Sequence, residues 1–542
     1  MIDHDPDGSG GSTFLGRDGE LADLLAALRS PYARLITVTG IPGIGKTRLA
    51  MEVSARLADE LPSRFVPLAG LSDAADIPAA VAAAQPVDRA SGPPGRPVLL
   101  VLDNAEHLTG AAEQVRRLLD EHPRVLVTSV RPLGLAVERT LRLGPLGAAA
   151  PPGESRRDAA VRLFDERATA GSVAYHPADP DSVAALCELL GRIPLAIELA
   201  AAQAGIVAVP TLLEQLRHGA GLDLRKPSSD TTTPDRHRSM RHALTWSSRL
   251  LEPGVRRLFA ALSVFAGPIT VDGAVAVSSG LDVGDVFDGL PVLVDVHLLE
   301  PVAGSGPARF RLLPPVRQFA HQALLGTGAL EQVERAHTQH VLELGARAAS
   351  AFARGDHAAA FGLLEQDWVE LAATTARLLE QARAGGPDQP VGPVVEAGLA
   401  LAVDCAPYLL SVGHDEGAQV RLERLIELGR STGADEGLLT RALLWSAVLG
   451  RRGNDRRFGP DWVRSRMAEG IARARTADDA DALLLGLELT ALATTRTGDV
   501  ETATAAVEEA LARPELDEGR RARFEALAGM LANQRGELVA AG

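Results

Sequence analysis

From Phe14 to about Leu146, short apolar runs alternate with stretches whose apolar residues recur every three or four positions. The runs are Arg34–Thr39, Arg64–Leu68, Pro97–Asp103, Arg124–Thr128 and Thr140–Leu143, and between them lie amphipathic stretches such as Arg48–Glu60 and Ala111–Glu121. A run without polar alternation reads as a strand buried on both faces. Such strands separated by helices predict a parallel sheet covered on both sides, an α/β domain over residues 14–150. The polar, Gly/Ser-rich residues 1–13 before it read as a flexible tail.

PLGAAAPPGES (Pro145–Ser155) breaks the alternation, and Arg156–Gly219 carries helical spacing alone, which predicts a helical domain over 151–222. A second polar break, Asp223–Asp235, reads as a linker. Helical stretches follow at Met240–Leu251, Val255–Phe265 and Asp285–Leu299, then a turn-rich hairpin at Pro301–Leu313 and a helix opening after Pro315. Three helices followed by a β-ribbon form a winged-helix pattern, placed at 236–325. Residues 326–542 are Ala/Leu-rich helix throughout. Gly413–Ile426 and Gly498–Leu511 share one cadence: a glycine, a short polar turn, a small alanine, then a Leu/Val-spaced helix. That cadence predicts an α-helical solenoid of tetratricopeptide-like repeats, whose stacking buries a continuous core. A third copy begins at Gly536–Ala541, so the array reads as cut in mid-repeat.

Composition narrows the function classes. At 542 residues the chain has room for about three to five domains. A net charge of −15 repels phosphate backbones unless a local basic face offsets it, so nucleic acid is not the default partner. Cys187 and Cys405, far apart in sequence, offer neither a disulfide framework nor a zinc cluster and suit a reducing cytosol. No apolar run reaches the ~18 residues of a membrane span, and the N-terminus lacks a signal peptide's apolar core. A cytoplasmic chain without a membrane partner is therefore expected. Of 55 basic Lys and Arg residues only Lys46 and Lys226 are lysines, which makes a retained lysine a candidate for a role arginine does not fill.

The strongest chemical signal surrounds the first of them. Gly40-Ile-Pro-Gly43-Ile44-Gly45-Lys46-Thr47 follows a predicted strand and opens a predicted helix, the context a phosphate-binding loop requires. Glycines let successive N–H groups curl toward phosphate oxygens at the positive end of a helix dipole. Lys46 supplies a mobile charge for the β- and γ-phosphates, and the Thr47 hydroxyl is placed to ligate Mg²⁺. Val98–Asp103 is an apolar strand ending in an acid, so Asp103 emerges at the same sheet edge to hold Mg²⁺ through water. Lys46 and Asp103 are the candidate catalytic residues, and Thr47 and Asp103 the metal site. Arg124–Ser129 ends in two hydroxyls placed toward the γ-phosphate region. Glu106 and His107 offer either a water-orienting pair or a cap for the next helix.

FLGRDGEL (Phe14–Leu21), GIPGIGKT, LLVLDNAEHL (Leu99–Leu108), TSVRPLGL (Thr128–Leu135) and GRIPLAIELAAAQAG (Gly191–Gly205) stand in the order seen in STAND ATPases. With RHRSMRHALTWSSRLL (Arg236–Leu251), LFAALSVFAG (Leu258–Gly267) and FRLLPPVRQFA (Phe310–Ala320), the chain resembles more narrowly the bacterial LuxR-type and SARP-type regulators, NB-ARC-like proteins. The resemblance implies that Leu15, Gly16 and Arg17 lie by the adenine and ribose and that Pro194 packs on the base. With Gly40, Gly43, Ile44, Gly45, Lys46, Thr47 and Arg48 these make up the expected nucleotide-binding set. It further implies an ADP-closed, ATP-open switch whose open form self-associates. The chain departs from the family at three places, one being that no helix-turn-helix output domain is evident at either end. Val130 stands where an arginine follows the serine, with Arg131 one position later, and Leu313-Pro314 stand at the methionine-histidine-aspartate position.

The expected function is an ATP/ADP-binding signalling switch and slow ATPase with Mg²⁺. A protein or small-molecule signal is received at the repeats, and transcription is regulated through a separate or missing output domain. The alternative is a non-hydrolysing, nucleotide-stabilised interaction scaffold, which the Val130/Arg131 shift favours. A metabolic P-loop kinase would need an acceptor-binding lid where this chain carries repeats. Direct DNA binding is not expected. The recognition segment Asp285–Leu299 carries three aspartates and no Arg or Lys, and the basic stretch Asp235–His242 reads as a solvated helix entry.

Overall fold

Five strands pair in parallel in the computed structural model: β1 (Leu35–Thr39), β2 (Ser63–Pro67), β3 (Leu99–Asp103), β4 (Arg124–Ser129) and β5 (Glu138–Arg142), in the order β2-β3-β4-β1-β5. The structure describes residues 14–84, 98–147, 156–171, 179–217, 224, 239–302, 306–385, 391–412, 416–452, 458–495 and 499–535. The expected tail at 1–13, the linker at 223–235 apart from Leu224, the repeat starts at Gly413 and Gly498, and the third repeat copy lie outside these residues. The chain divides into two units, Met1–Val264 with Ile269–Val333, and Phe265–Pro268 with Glu334–Gly542.

Helices α1 (Asp18–Arg29), α2 (Lys46–Leu57), α3 (Ile77–Ala83) and α4 (Ala111–Glu121) flank the sheet. Leu35, Leu100, Leu102, Val125 and Val127 form one cluster with Ile77, Val81, Val115 and Leu118, which fixes one face of the sheet. Strand alternation turns Ile36, Val38, Val101 and Leu126 to the other face, and all four are buried as well. Each such side chain, fully buried, contributes about 1.5–3 kcal/mol, and this two-sided burial is why the strands read as unbroken apolar runs. The edge strand β5 starts two residues before its expected position. Glu138 accepts N–H groups of Leu133, Gly134 and Leu135 at 2.9, 2.7 and 3.3 Å, and this turn starts the strand early.

A helical layer follows, α5 (Arg156–Gly171), α6 (Pro180–Leu189), α7 (Pro194–Ala204) and α8 (Val209–Arg217). Prolines at the first positions of α6 and α7 set their start, where a missing N–H costs nothing. Next come α9 (Met240–Ser248), α10 (Pro253–Ala261), α11 (Val271–Ser278), α12 (Val286–Asp295) and α13 (Pro314–Leu325), with an antiparallel sheet of β6 (Ile269–Thr270), β7 (Glu300–Val302) and β8 (Arg309–Arg311) in the order β6-β8-β7. This is a winged helix. It has one helix more than expected: VDGAVAVS is β-branched and glycine-containing, yet Thr270 caps it by accepting the Gly273 N–H at 3.0 Å.

Apart from Phe265–Pro268, the regular elements among the described residues of the second unit are helices: α14 (Leu330–Ala353), α15 (His357–Ala384), α16 (Val391–Val412), α17 (Glu416–Thr432), α18 (Glu436–Arg452), α19 (Pro460–Thr476), α20 (Ala480–Thr495), α21 (Val500–Leu511) and α22 (Glu518–Gln534). From α15 to α22 neighbouring helices pack in sequence order around successive apolar clusters, as in a tetratricopeptide-like solenoid. Within this unit Glu370 ties down the Phe265–Pro268 segment, accepting the N–H groups of Ala266 and Gly267 at 2.8 and 2.7 Å while facing His337 at 2.7 Å. One correction concerns α16, which is long and apolar enough to cross a membrane by composition alone. Half of its apolar window is buried, and Val395, Leu399, Val403 and Leu409 join the core, so it is the central helix of this unit.

Close helix approach rests on small residues. A Cβ on Gly470 would lie 2.6 Å from Leu444 Cδ2 and 2.8 Å from its Cγ. Gly470→Ala is therefore expected to destabilise the helical unit by about 1–3 kcal/mol through overpacking, despite alanine's better helix propensity. A lowered urea midpoint for this unit checks it; an unchanged or raised midpoint contradicts the packing described.

Candidate nucleotide site

The loop between β1 and α2 takes its shape from two glycines in the left-handed region, Gly43 at φ 79° and Gly45 at φ 102°. Gly45 is the N-cap of α2, and a Cβ there would meet nothing within 4 Å, so its open side is the cradle itself. Gly43 faces the other way. A Cβ on it would lie 2.7 Å from Leu195 Cβ, and its carbonyl accepts the Leu195 N–H at 3.1 Å. The first turn of α7 is thus hydrogen-bonded to the phosphate loop. Lys46 Nζ donates to the carbonyl oxygens of Gly40 at 2.8 Å and Ile41 at 3.2 Å. Its ammonium is held over the loop that the helix N-terminus already makes electropositive.

Thr47 and Asp103 meet as expected. Thr47 Oγ1 donates to Asp103 Oδ1 at 2.7 Å, and Thr128 Oγ1 donates to the same oxygen at 2.6 Å. Thr128 Oγ1 also accepts the Asn104 N–H at 2.9 Å. The hydroxyl at the end of β4 therefore orients the acid of β3, its register partner, where the sequence pointed it at the γ-phosphate. A hydroxyl and a carboxylate converging at the mouth of the loop are hard oxygen donors of the kind Mg²⁺ takes. The donor set fits that ion.

Arg17 is buried, and its guanidinium donates to Glu20 at 2.8 Å, the Ile44 carbonyl at 3.1 Å and the Pro145 carbonyl at 3.5 Å. Burial lowers its pKa, and Glu20 opposes that shift. Arg17 thus braces the phosphate loop from behind through a backbone oxygen. Leu15, Gly16 and Pro194 are half-buried, Ile44 is core, and Arg48 is exposed on α2. Val130 is fully buried and Arg131 exposed, so the one-residue shift at the end of β4 does turn the arginine out of the core face. Pro314 begins α13, and Leu313 and Pro314 pack on Gly191 of the α6–α7 turn. His107 is engaged by the Leu71 carbonyl at 3.0 Å and by the edge of Trp246, with ring centroids 5.9 Å apart.

Sequence reasoning missed one cluster. Arg142, at the end of β5, donates from Nε to His297 Nδ1 at 3.1 Å and from Nη2 to the Val294 carbonyl at 2.8 Å. His297 lies just past α12, buried and at φ 57°. Burial, then the charges of Arg142 and Lys46, push its pKa down to about 3, so the imidazole is neutral. The pair is 155 residues apart, and nothing local in the sequence signals it.

Residues 13–221 match the AAA ATPase domain family and residues 251–325 the winged helix-turn-helix domain family. The chain is 31% identical over 359 residues to the uncharacterized protein Rv0894 of Mycobacterium tuberculosis, a match covering 61% of this chain and 86% of that protein. The chain belongs to that protein's family. A longer relative of the family in the same organism, Rv0890c, is named as an HTH-type transcriptional regulator and is 33% identical over 335 residues, 57% of this chain. The match spans 35% of that regulator's length, about a third. A solved Signal Transduction ATPase with Numerous Domains (STAND) protein with a tetratricopeptide repeat sensor, from Pyrococcus horikoshii, is similar over 97% of this chain and 81% of its own, at 16% identity. Its TM-score of 0.24 is too low to bear on mechanism. This chain therefore joins a region of the AAA ATPase domain family to one of the winged helix-turn-helix family, and the first of these implies nucleotide binding.

Proposed function

We propose that this chain is an ATP/ADP-binding regulatory switch of the STAND type its motifs resemble, with Mg²⁺ as cofactor and slow hydrolysis as its reset. Lys46 and the amides of Gly43–Thr47 would bind the phosphates, and Thr47 with Asp103 would hold the ion. Leu15, Gly16, Arg17 and Pro194 are the candidates for the base and ribose. The observation that carries the reading is the 3.1 Å bond from Leu195 N–H to Gly43 O. It fastens the helical layer to the loop that the phosphates contact, so a ligand that reshapes the loop also moves α7. Two ligands with unequal affinity for two arrangements are what a switch requires. Self-association in the triphosphate form and an effect on transcription belong to this proposal. So do a signal received at the repeats and a cytoplasmic site of action.

DNA is not the partner that α12 suits. Its exposed residues include Phe287, Asp288, Pro291, Val292 and Asp295, two carboxylates and no cation, where phosphate contacts demand Arg or Lys. The second reading, a nucleotide-stabilised scaffold without turnover, is favoured by the buried Val130 and exposed Arg131. Phosphate release and sedimentation velocity separate the two. The switch predicts Mg²⁺-dependent release above a Lys46→Ala control and faster sedimentation with a non-hydrolysable ATP analogue than with ADP. Binding without release, and one sedimentation coefficient for both nucleotides, would leave the scaffold.

A further inference from the structure

The end of β5 backs directly onto the phosphate loop. Arg142 is in register with Thr39, the residue before Gly40, and the Leu143 N–H donates to the Thr39 carbonyl at 2.8 Å. A Cβ on Gly40 would lie 2.8 Å from the Leu143 carbonyl. Adjacent strands are about 4.8 Å apart, so Arg142 stands one strand over from the loop, and Lys46 Nζ rests on the next carbonyl along, Gly40 O. The charges of both Lys46 and Arg142 are felt by the buried imidazole of His297. Both groups are cations, and the ring is neutral.

Arg142 is held there by weak partners. His297 Nδ1 and Val294 O are both neutral acceptors, and the carboxylates of Glu300 and Asp295 act on it only through space. Hydrogen bonds to an ionised acceptor are about twice as strong as those between neutral groups. A phosphate oxygen entering this corner outcompetes both present acceptors.

We propose that Arg142 is the phosphate-sensing arginine of this chain: it binds the terminal phosphate of a nucleoside triphosphate and, in doing so, leaves His297 and the end of α12. The arginine expected at the end of β4 would thus be supplied from β5. Because Val294 and His297 belong to the winged helix, the same movement would report the triphosphate to that domain. The inference rests on the nucleotide-site reading above.

The test is calorimetric titration of Mg²⁺-ATP and Mg²⁺-ADP into the wild-type chain, Arg142→Gln and His297→Ala. Arg142→Gln is expected to weaken ATP by about tenfold while leaving ADP within about twofold. His297→Ala, which removes one of the present acceptors, is expected to tighten ATP relative to ADP. If wild type binds neither nucleotide, the site reading fails. If wild type binds both and the ATP/ADP ratio is the same in Arg142→Gln, this inference alone is overturned. Should Arg142→Gln melt at a lower temperature and aggregate, His297→Ala decides: an ATP/ADP ratio unchanged from wild type rejects the assignment, and a raised one supports it.

Discussion

Lys46→Ala is expected to weaken Mg²⁺-ATP binding by about tenfold to a hundredfold, with little change in melting temperature. A hydrogen bond to a charged group contributes about 1.5–3 kcal/mol, and each 1.4 kcal/mol is tenfold in affinity. Here the ammonium donates to the carbonyl oxygens of Gly40 and Ile41. Lys46 is half-buried, so water can take the ammonium's place on those oxygens once it is removed. The loop is shaped by Gly43, Gly45 and the Arg17 brace instead, which is why the fold should tolerate the loss. Titration with a fluorescent ATP analogue, alongside a thermal melt, checks both halves. Undiminished affinity would mean that Lys46 is not the phosphate ligand.

Gly43→Val should do the opposite, damaging the fold first. A β-branched residue at φ 79° is strained by about 1–2 kcal/mol. The added Cβ would also meet Leu195 Cβ at 2.7 Å and Cδ2 at 2.8 Å, an overpacking cost of about 1–3 kcal/mol. Together these predict a loss of about 2–5 kcal/mol, read as a melting temperature lower by about 5–15 °C at this domain size. Gly45→Ala is the informative contrast. It is strained at φ 102° but meets nothing within 4 Å, so the melt should fall less while phosphate affinity is lost. Equal melting temperatures for the two variants would refute the contact between the loop and α7.

These expectations show which parts of the molecule could be read from sequence. The phosphate loop, Asp103 and the sheet were legible because each depends on local chemistry: glycines where backbone must curl, a lysine kept against composition, strands apolar on both faces. Strand β5 was misplaced because it is an edge strand whose start is set by the Glu138 side chain rather than by apolar pattern. Helix α11 was missed because a single capping threonine outweighs β-branched propensity in a short segment. The motif puts Arg17 in the nucleotide-binding set but cannot give its partners in the fold, a nearby acid and two carbonyls, the farther 128 residues away. The Arg142–His297 pair was invisible for the same reason. A hydrogen bond between the sheet and the winged helix exists only once both have folded.

The central claim is that the β1–α2 loop binds nucleotide phosphates. It is tested most directly by titrating ADP and ATP, each with Mg²⁺, into the intact wild-type chain in a calorimeter. Saturable heat with one site per chain for at least one of the two, with affinity about tenfold to a hundredfold weaker in Lys46→Ala, is the predicted result. No heat from either nucleotide, with protein shown to be folded and nucleotide-free at the start, would contradict the account.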